Sequence, residues 1–178
     1  MKTLYIERSV DDGSRGDWVE GLDTDNIDRI VVGTGPGSFA GIRAAIAFAQ
    51  GYAIGRPSCE VLGLPSPCAL AEVGIGRLAV VGDARRGLFW IAIFTDFSLD
   101  REIFQVDREG LVSAVPADCC VITPDESRIG ALLAECFGER YGGGSTPTDE
   151  GLRRFAEANP AMLKPEPLPI YLNPAVRG

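Results

Sequence analysis

A glycine-rich segment, running from Gly33 to Gly41 (GTGPGSFAG), is the clearest candidate in this sequence for a ligand-binding loop. It follows the β-branched run at 30–32 and precedes an alanine-rich stretch, an arrangement in which backbone N–H groups can cradle a phosphate. A P-loop would end in Lys and then Ser or Thr, whereas Gly41 is followed by Ile42 and Arg43. The glycine spacing also departs from the G-x-G-x-x-G dinucleotide fingerprint. Nucleotide binding is therefore the weaker interpretation of this loop.

The chain contains no histidine, the usual general base near neutral pH and the commonest protein metal ligand. Ser-His and Cys-His nucleophile pairs and histidine-ligated metal sites are thereby excluded. A stand-alone peptidase with a lysine base would have to use Lys2 or Lys164, which are the only lysines and lie near the ends of the chain. Glu7 and Asp83 remain as candidate carboxylate ligands for residual magnesium and nucleotide binding. The sequence predicts no other metal site and no catalytic residue.

Composition and charge indicate an acidic globular protein, with 46% hydrophobic residues, 24% charged residues and a formal net charge of -8. Because nucleic-acid binding depends on clustered cations, we expect RNA contact only within a complex. Five cysteines, an odd number without a CxxC pair, predict reduced thiols and a cytoplasmic location. No run of about 18 apolar residues is present, so no association with a membrane is expected.

The alternation of strand and helix patterns predicts an α/β fold. The main helix is predicted over 42–54, since Gly55 and Pro57 end it. Residues 140–150, with three consecutive glycines, are predicted to be a loop. The other predicted strands and helices are, in numbers, strands at 4–7, 30–32, 59–64, 78–81, 88–94, 103–106 and 120–123 and helices at 66–73, 129–137 and 152–158. A boundary near 74–76 predicts an N-terminal lobe over 1–76 and a C-terminal lobe over 77–178.

Small residues recur every four positions in the predicted helix, at Gly41, Ala45, Ala49 and Ala53, and therefore share one face. A stripe of small side chains allows a second helix to approach closely. The residues alone leave two interpretations open, because that second helix could belong to this chain or to a partner protein.

The loop and its helix together resemble the TsaB (YeaZ) family. The family pattern G-x-G-P-G-S-F-T-G-[LIV]-R matches Gly33 to Arg43, with Ala40 in place of threonine and Gln50 in place of a usual lysine further on. Two weaker matches follow in order: Asp83-Ala84-Arg85 in the D-A-R segment and 169–173 in the C-terminal P-x-Y-[LV]-R. The resemblance implies an actin-like ATPase (ribonuclease H-like) fold of two lobes, with the C-terminal tail returning to the N-terminal lobe.

The same resemblance implies a non-catalytic scaffold subunit. Such a subunit binds TsaD, with TsaE docking on the pair, in the complex that makes threonylcarbamoyladenosine on tRNA. The alternative is a residual nucleotide-binding or ATPase protein of the actin-like superfamily, with weak ATP or ADP binding; otherwise no cofactor is expected. The resemblance places the partner interface on Gly41, Arg43, Ala45, Ile46, Ala49, Gln50 and Ala53, and it makes Gly33, Gly35, Pro36, Gly37 and Ser38 a structural loop that presents the helix.

One departure from the family concerns the N-terminal lobe. About 25 residues separate Glu7 from Gly33, where family members usually carry two strands and a helix. We therefore expect a truncated N-terminal lobe. A homodimer through the 42–54 helix is accordingly an alternative to the heterodimer with TsaD.

Overall fold

The computed structural model describes residues 1–10, 19 and 22–172. Within these residues the strands are β1 (Thr3–Ile6), β2 (Arg29–Gly33), β3 (Glu60–Leu64), β4 (Arg77–Arg85), β5 (Leu88–Thr95), β6 (Ser98–Leu99), β7 (Phe104–Asp107), β8 (Cys120–Thr123), β9 (Tyr141–Gly144) and β10 (Lys164–Pro165). The α-helices are α1 (Phe39–Ile54), α2 (Leu111–Ala114), α3 (Glu126–Phe137) and α4 (Asp149–Ala158).

The chain divides into two compact units. Unit 1 consists of Met1–Ala69 and Pro147–Ile170, and unit 2 is built mainly from Leu70–Thr146. The sequence analysis placed a single boundary near 74–76. The structure places the first boundary between Ala69 and Leu70, and it assigns the segment that contains α4 and β10 to unit 1.

Unit 1 is organised around a sheet with the strand order β1-β2-β3-β10. The first three strands are parallel, and the two residues of β10 run antiparallel to Gly63 and Leu62 of β3. The inner side of α1 packs its isoleucines and alanines into a core with Ile6, Ile30 and Val32. The second helix of the unit, α4, contacts β1, and its Leu152 and Phe155 are fully buried.

Unit 2 is a second sheet with the order β6-β5-β4-β8-β9, on which β7 also pairs with β5. The hairpin of β4 and β5 supplies apolar residues such as Val81 and Ile91 to a core that α3 completes with Leu133 and Phe137. No helix among the described residues is long and apolar enough to cross a membrane.

The predicted strands are confirmed, and most ends fall within two residues of the prediction, β4 running further, to Arg85. The predicted loop at 140–150 is wrong in its first part, because Tyr141–Gly144 forms β9 in parallel pairing with β8. Tertiary pairing here overrides the weak strand preference of glycine. The helix predicted from Ser66 is only a 3₁₀ turn, Ser66–Leu70. The Ser66 hydroxyl oxygen accepts a hydrogen bond from the N–H of Gly35 at 2.9 Å, so it is not free to cap a longer helix.

Candidate functional site

The glycine-rich loop is packed against the turn that follows β1. The N–H of Ser38 donates to the carbonyl of Ser9 at 2.5 Å. A Cβ atom at Gly37 would collide with that same carbonyl, and a Cβ atom at Gly41 would collide with the carbonyl of Arg8. The glycines therefore allow a close approach by the backbone of residues 8–9. Protein atoms occupy the space that a phosphate would need in a cradle at this point.

The other side of the loop is fixed to the end of β3. The N–H of Thr34 donates to the Leu64 carbonyl at 2.9 Å, and the N–H of Ser66 donates to the Gly35 carbonyl at 3.0 Å. Gly35 has a φ of +86°, a left-handed conformation that glycine adopts without steric cost, and a cis peptide bond joins it to Pro36. At the helix start, the Ser38 hydroxyl oxygen accepts from the N–H of Gly41 at 3.4 Å and caps α1. These bonds fix the direction in which α1 leaves the sheet.

Glu7, one of the two predicted magnesium carboxylates, is buried under the loop. Its side chain is 3% exposed, and its carboxyl lies over Gly33, where a Cβ atom would collide with it. Oε1 accepts the N–H of Ser9 at 2.6 Å, while Oε2 has no hydrogen-bond partner. Burial is the largest influence on the pKa of Glu7 and raises it; the hydrogen bonds from Ser9 oppose this shift, and the neighbouring carboxylate of Asp149 adds to it. A carboxyl enclosed by protein atoms in this way is poorly placed to act as a ligand for a hard cation.

The turn after β1 is also tied to α4. The N–H of Glu7 donates to Oδ1 of Asp149 at 2.6 Å, and the guanidinium of Arg8 forms an ion pair with the same oxygen at 3.0 Å. Asp149 is the first residue of α4, where the N-terminal end of the helix favours negative charge. The Asp149 carboxylate thus already accepts the hydrogen bond from the Glu7 N–H. An anionic ligand at this turn would need that same N–H.

Asp83, the other predicted magnesium carboxylate, belongs to unit 2 and has its own partners there. Its carboxylate forms ion pairs with Arg128 at 3.2 Å and with Arg85 at 3.4 Å. Its N–H donates to Oδ2 of Asp125 at 2.8 Å. Arg128 also forms an ion pair with Asp125, so the carboxylates of Asp83 and Asp125 both have partners within unit 2. Among the described residues, no group of three acidic or cysteine side chains is arranged to hold a metal ion.

The stripe of small residues on α1 faces the core of unit 1. Ala45, Ile46 and Ala49 are buried against the sheet, and Ala53 packs on the same cluster. Gly41 lies beneath Arg8. The sequence analysis interpreted this stripe as a surface for a second helix, and in this respect the structure corrects it. The small side chains of Ala45 and Ala49 let α1 lie close to the strands of its own unit, which are rich in β-branched residues.

The outer face of α1 is also apolar. We define it as Phe39, Ala40, Arg43, Ala44, Ala47, Gln50, Gly51 and Ile54, all of which are exposed. Phe39 is 58% and Ile54 85% exposed, and the guanidinium of Arg43, the single charge of this face, lies 4.8 Å from the centre of the Phe39 ring. A helix that is apolar on all sides is normally buried on all sides. Of the predicted interface residues, only Arg43 and Gln50 lie on this outer face. The sequence did contain a sign of a second apolar face, because positions 40, 44, 47 and 51 carry no charged residue.

Comparisons with known proteins agree with this architecture. Residues 20–104, just under half of the chain, match the model of the family described as TsaD: tRNA N6-adenosine threonylcarbamoyltransferase. Over 73 residues the chain is 44% identical to uncharacterized proteins of Mycobacterium tuberculosis and Mycobacterium bovis, a match that covers 40% of this chain. That match spans only about a third (33%) of the length of each of these curated relatives.

Two solved structures share the fold. YeaZ from Pseudomonas aeruginosa superposes with a TM-score of 0.71 at 22% identity, covering 95% of this chain and 99% of the other. A crystal structure described as an uncharacterized protein with similarity to peptidase YeaZ from Pseudomonas aeruginosa gives 0.66 at 24% identity, covering 88% and 79%. The predicted resemblance is thus confirmed in the fold. This chain has the α/β fold of YeaZ, which is also the actin-like fold of the TsaD family.

Proposed function

We propose that this chain is a cytoplasmic TsaB-type subunit, which binds a TsaD protein in the complex that makes threonylcarbamoyladenosine on tRNA. The observation that carries the proposal is the outer face of α1, a largely uncharged helical surface presented by a rigidly held loop. The YeaZ-like fold and the match to the TsaD family support this assignment of the surface.

The choice of partner rests on the part of the chain that matches the TsaD family model. Residues 20–104 contain all of α1, so a TsaD protein has a segment that corresponds to this helix. The alanines and the glycine in the middle of this outer face would allow the partner's helix to pack at a short distance between the two axes. The pairing would bury Phe39 and Ile54, the two large apolar residues of the outer face.

The chain itself is proposed to be non-catalytic. It has no histidine, and the carboxyl groups of Glu7 and Asp83 are engaged in contacts within their own units. We propose that the chemistry belongs to the partner. TsaE docking and contact with tRNA are likewise proposed to depend on the assembled complex, since a net charge of -8 disfavours RNA binding by this chain alone.

The alternative function is residual nucleotide binding. The packing of residues 8–9 against the glycine-rich loop argues against it. An ATP titration with magnesium separates the two. Saturable binding by the isolated chain at micromolar nucleotide would contradict the scaffold proposal. Weak or absent binding is the expected result.

The partner proposal is tested by co-purifying the chain with TsaD from the same organism and measuring the mass by light scattering. We expect a heterodimer for the wild type and none for Ala47→Glu, because the substitution places a charge in the outer face of α1. Ala131→Glu, at an exposed position of α3, is the matched control and should pair normally. A wild-type homodimer with no heterodimer would assign α1 to self-association instead.

A further inference from the structure

A groove of about 450 Å³ lies beside the C-terminal end of α1, entirely within unit 1. Its walls are Ile54 of α1, Val61 and Leu62 of β3, and the prolines Pro165 and Pro167 that follow α4. Most of this lining is apolar. Such a concave surface fits an apolar side chain of a bound segment better than it fits water.

The groove includes a strand edge that is only partly covered. β10 pairs with Gly63 and Leu62 and ends at Pro165. Glu166 then takes a φ of +54°, a left-handed conformation that is unfavourable for a residue with a Cβ atom and more so before a proline. The chain leaves β3 at this point. In the described part of the chain no strand covers the edge of β3 at Glu60 and Val61, and an uncovered edge can accept an extended segment from another protein.

The charged side chains that line the groove itself have one sign. Glu60 and Glu166 are the charged residues of its lining, and neither lysine nor arginine is among them. Arg29 bonds to Oε2 of Glu60 through two nitrogens, at 2.9 and 2.6 Å, which leaves Oε1 to accept from a ligand. Among the ion pairs of the described residues, none involves Glu166. The groove therefore favours an apolar side chain next to a cation.

The groove is continuous with the outer face of α1, because Gln50 and Ile54 belong to both. We infer that the groove binds an extended segment of the TsaD-type partner, one that carries an apolar residue beside a lysine or arginine. This inference rests on the function proposed above. A second copy of the chain is a poorer occupant, since two molecules with a net charge of -8 repel each other.

The test measures the dissociation constant of the heterodimer for two variants of Glu166. Glu166→Gly keeps the turn, because glycine adopts positive φ freely, and removes the whole side chain together with its carboxylate; we expect binding about threefold weaker. Glu166→Lys reverses the charge and is expected to weaken binding about tenfold, with the difference from wild type shrinking at high salt. Glu135→Lys, at an exposed site of α3 in unit 2, is the charge control and should stay within about twofold of the wild type.

The outcomes separate this inference from the proposed function. If Ala47→Glu abolishes pairing but both Glu166 variants bind like the wild type, the groove is unused and the α1 interface stands. If the Glu166 variants alter self-association and leave the heterodimer unchanged, the occupant is a second copy, which overturns the inference. If the wild type does not pair with TsaD at all, the proposed function and this inference both fail. A thermal melt of each variant confirms that folding is intact.

Discussion

At the scale of single residues, the protonation of the buried Glu7 carboxyl distinguishes a metal ligand from a structural group. Burial favours its neutral form because the surrounding protein replaces water, so its folded-state pKa lies above the ordinary value of 4.5. A raised acid pKa contributes stability fully below the unfolded pKa, and that contribution is lost as pH rises through the folded pKa. Glutamine resembles the neutral acid and cannot ionise.

We therefore expect Glu7→Gln to become more stable than the wild type as pH rises above about 4.5, at about 1.4 kcal/mol for each pKa unit between the folded and unfolded states. Denaturant unfolding at pH 4, 6 and 8 measures this difference. Glu135→Gln, at an exposed position, should show no such trend. A difference between Glu7→Gln and the wild type that stays flat from pH 5 to 8 would mean that Glu7 is ionised, and it would restore Glu7 as a candidate ligand.

Residue patterns in the sequence located α1 and its loop but not the orientation of the helix. The four-residue spacing of Gly41, Ala45, Ala49 and Ala53 defines one face, and the alanines and glycine at 40, 44, 47 and 51 define another that is just as small. Since periodicity does not state which face meets a sheet, the partner surface was assigned to the side that the structure buries. A helix with two similar faces becomes oriented only through its long-range contacts, here with β2 and β3.

At the scale of elements, the contact between α1 and the turn after β1 distinguishes two glycines of the same helix. A Cβ atom at Gly41 would collide with the Arg8 carbonyl, whereas one at Gly51 would meet open space. We expect Gly51→Ala to stabilise the protein by about 0.5–1 kcal/mol through helix propensity. Gly41→Ala gains the same propensity but must displace backbone, so a net destabilisation of about 1–2 kcal/mol is expected. Urea midpoints measure both; equal stabilisation would show that residues 8–9 do not rest on α1.

Two other elements show how far local sequence information reaches. The strands rich in β-branched residues were identified because they combine strand propensity with burial. β9, with three glycines in four residues, has no such signal and exists through its pairing with β8. The groove depends on the positive φ of Glu166, which a sequence of Pro165-Glu166-Pro167 gives no reason to expect, because a residue before proline favours extended conformations.

At the scale of the whole molecule, unit 1 is made from two distant parts of the chain. Arg8 and Asp149 form an ion pair across 141 positions, and α4 contacts β1. No local pattern in 147–170 identifies these partners, since the pattern shows only that α4 has one apolar face. The family resemblance, rather than the residues themselves, led us to expect that the tail returns to the N-terminal lobe.

This arrangement makes unit 1 depend on a helix that follows residues 70–146 of unit 2 in the sequence. Phe155 of α4 is fully buried, so Phe155→Ala should destabilise the protein by about 3–5 kcal/mol through lost burial and the cavity left behind. Val73→Ala, at an exposed position, should change stability by less than about 0.5 kcal/mol. In hydrogen exchange, the amides of β1 and β2 should lose protection in Phe155→Ala, because their sheet lies against the helix that is loosened. Unchanged protection in these strands would show that residues 1–69 fold without α4. The two segments of unit 1 would then be independent of each other.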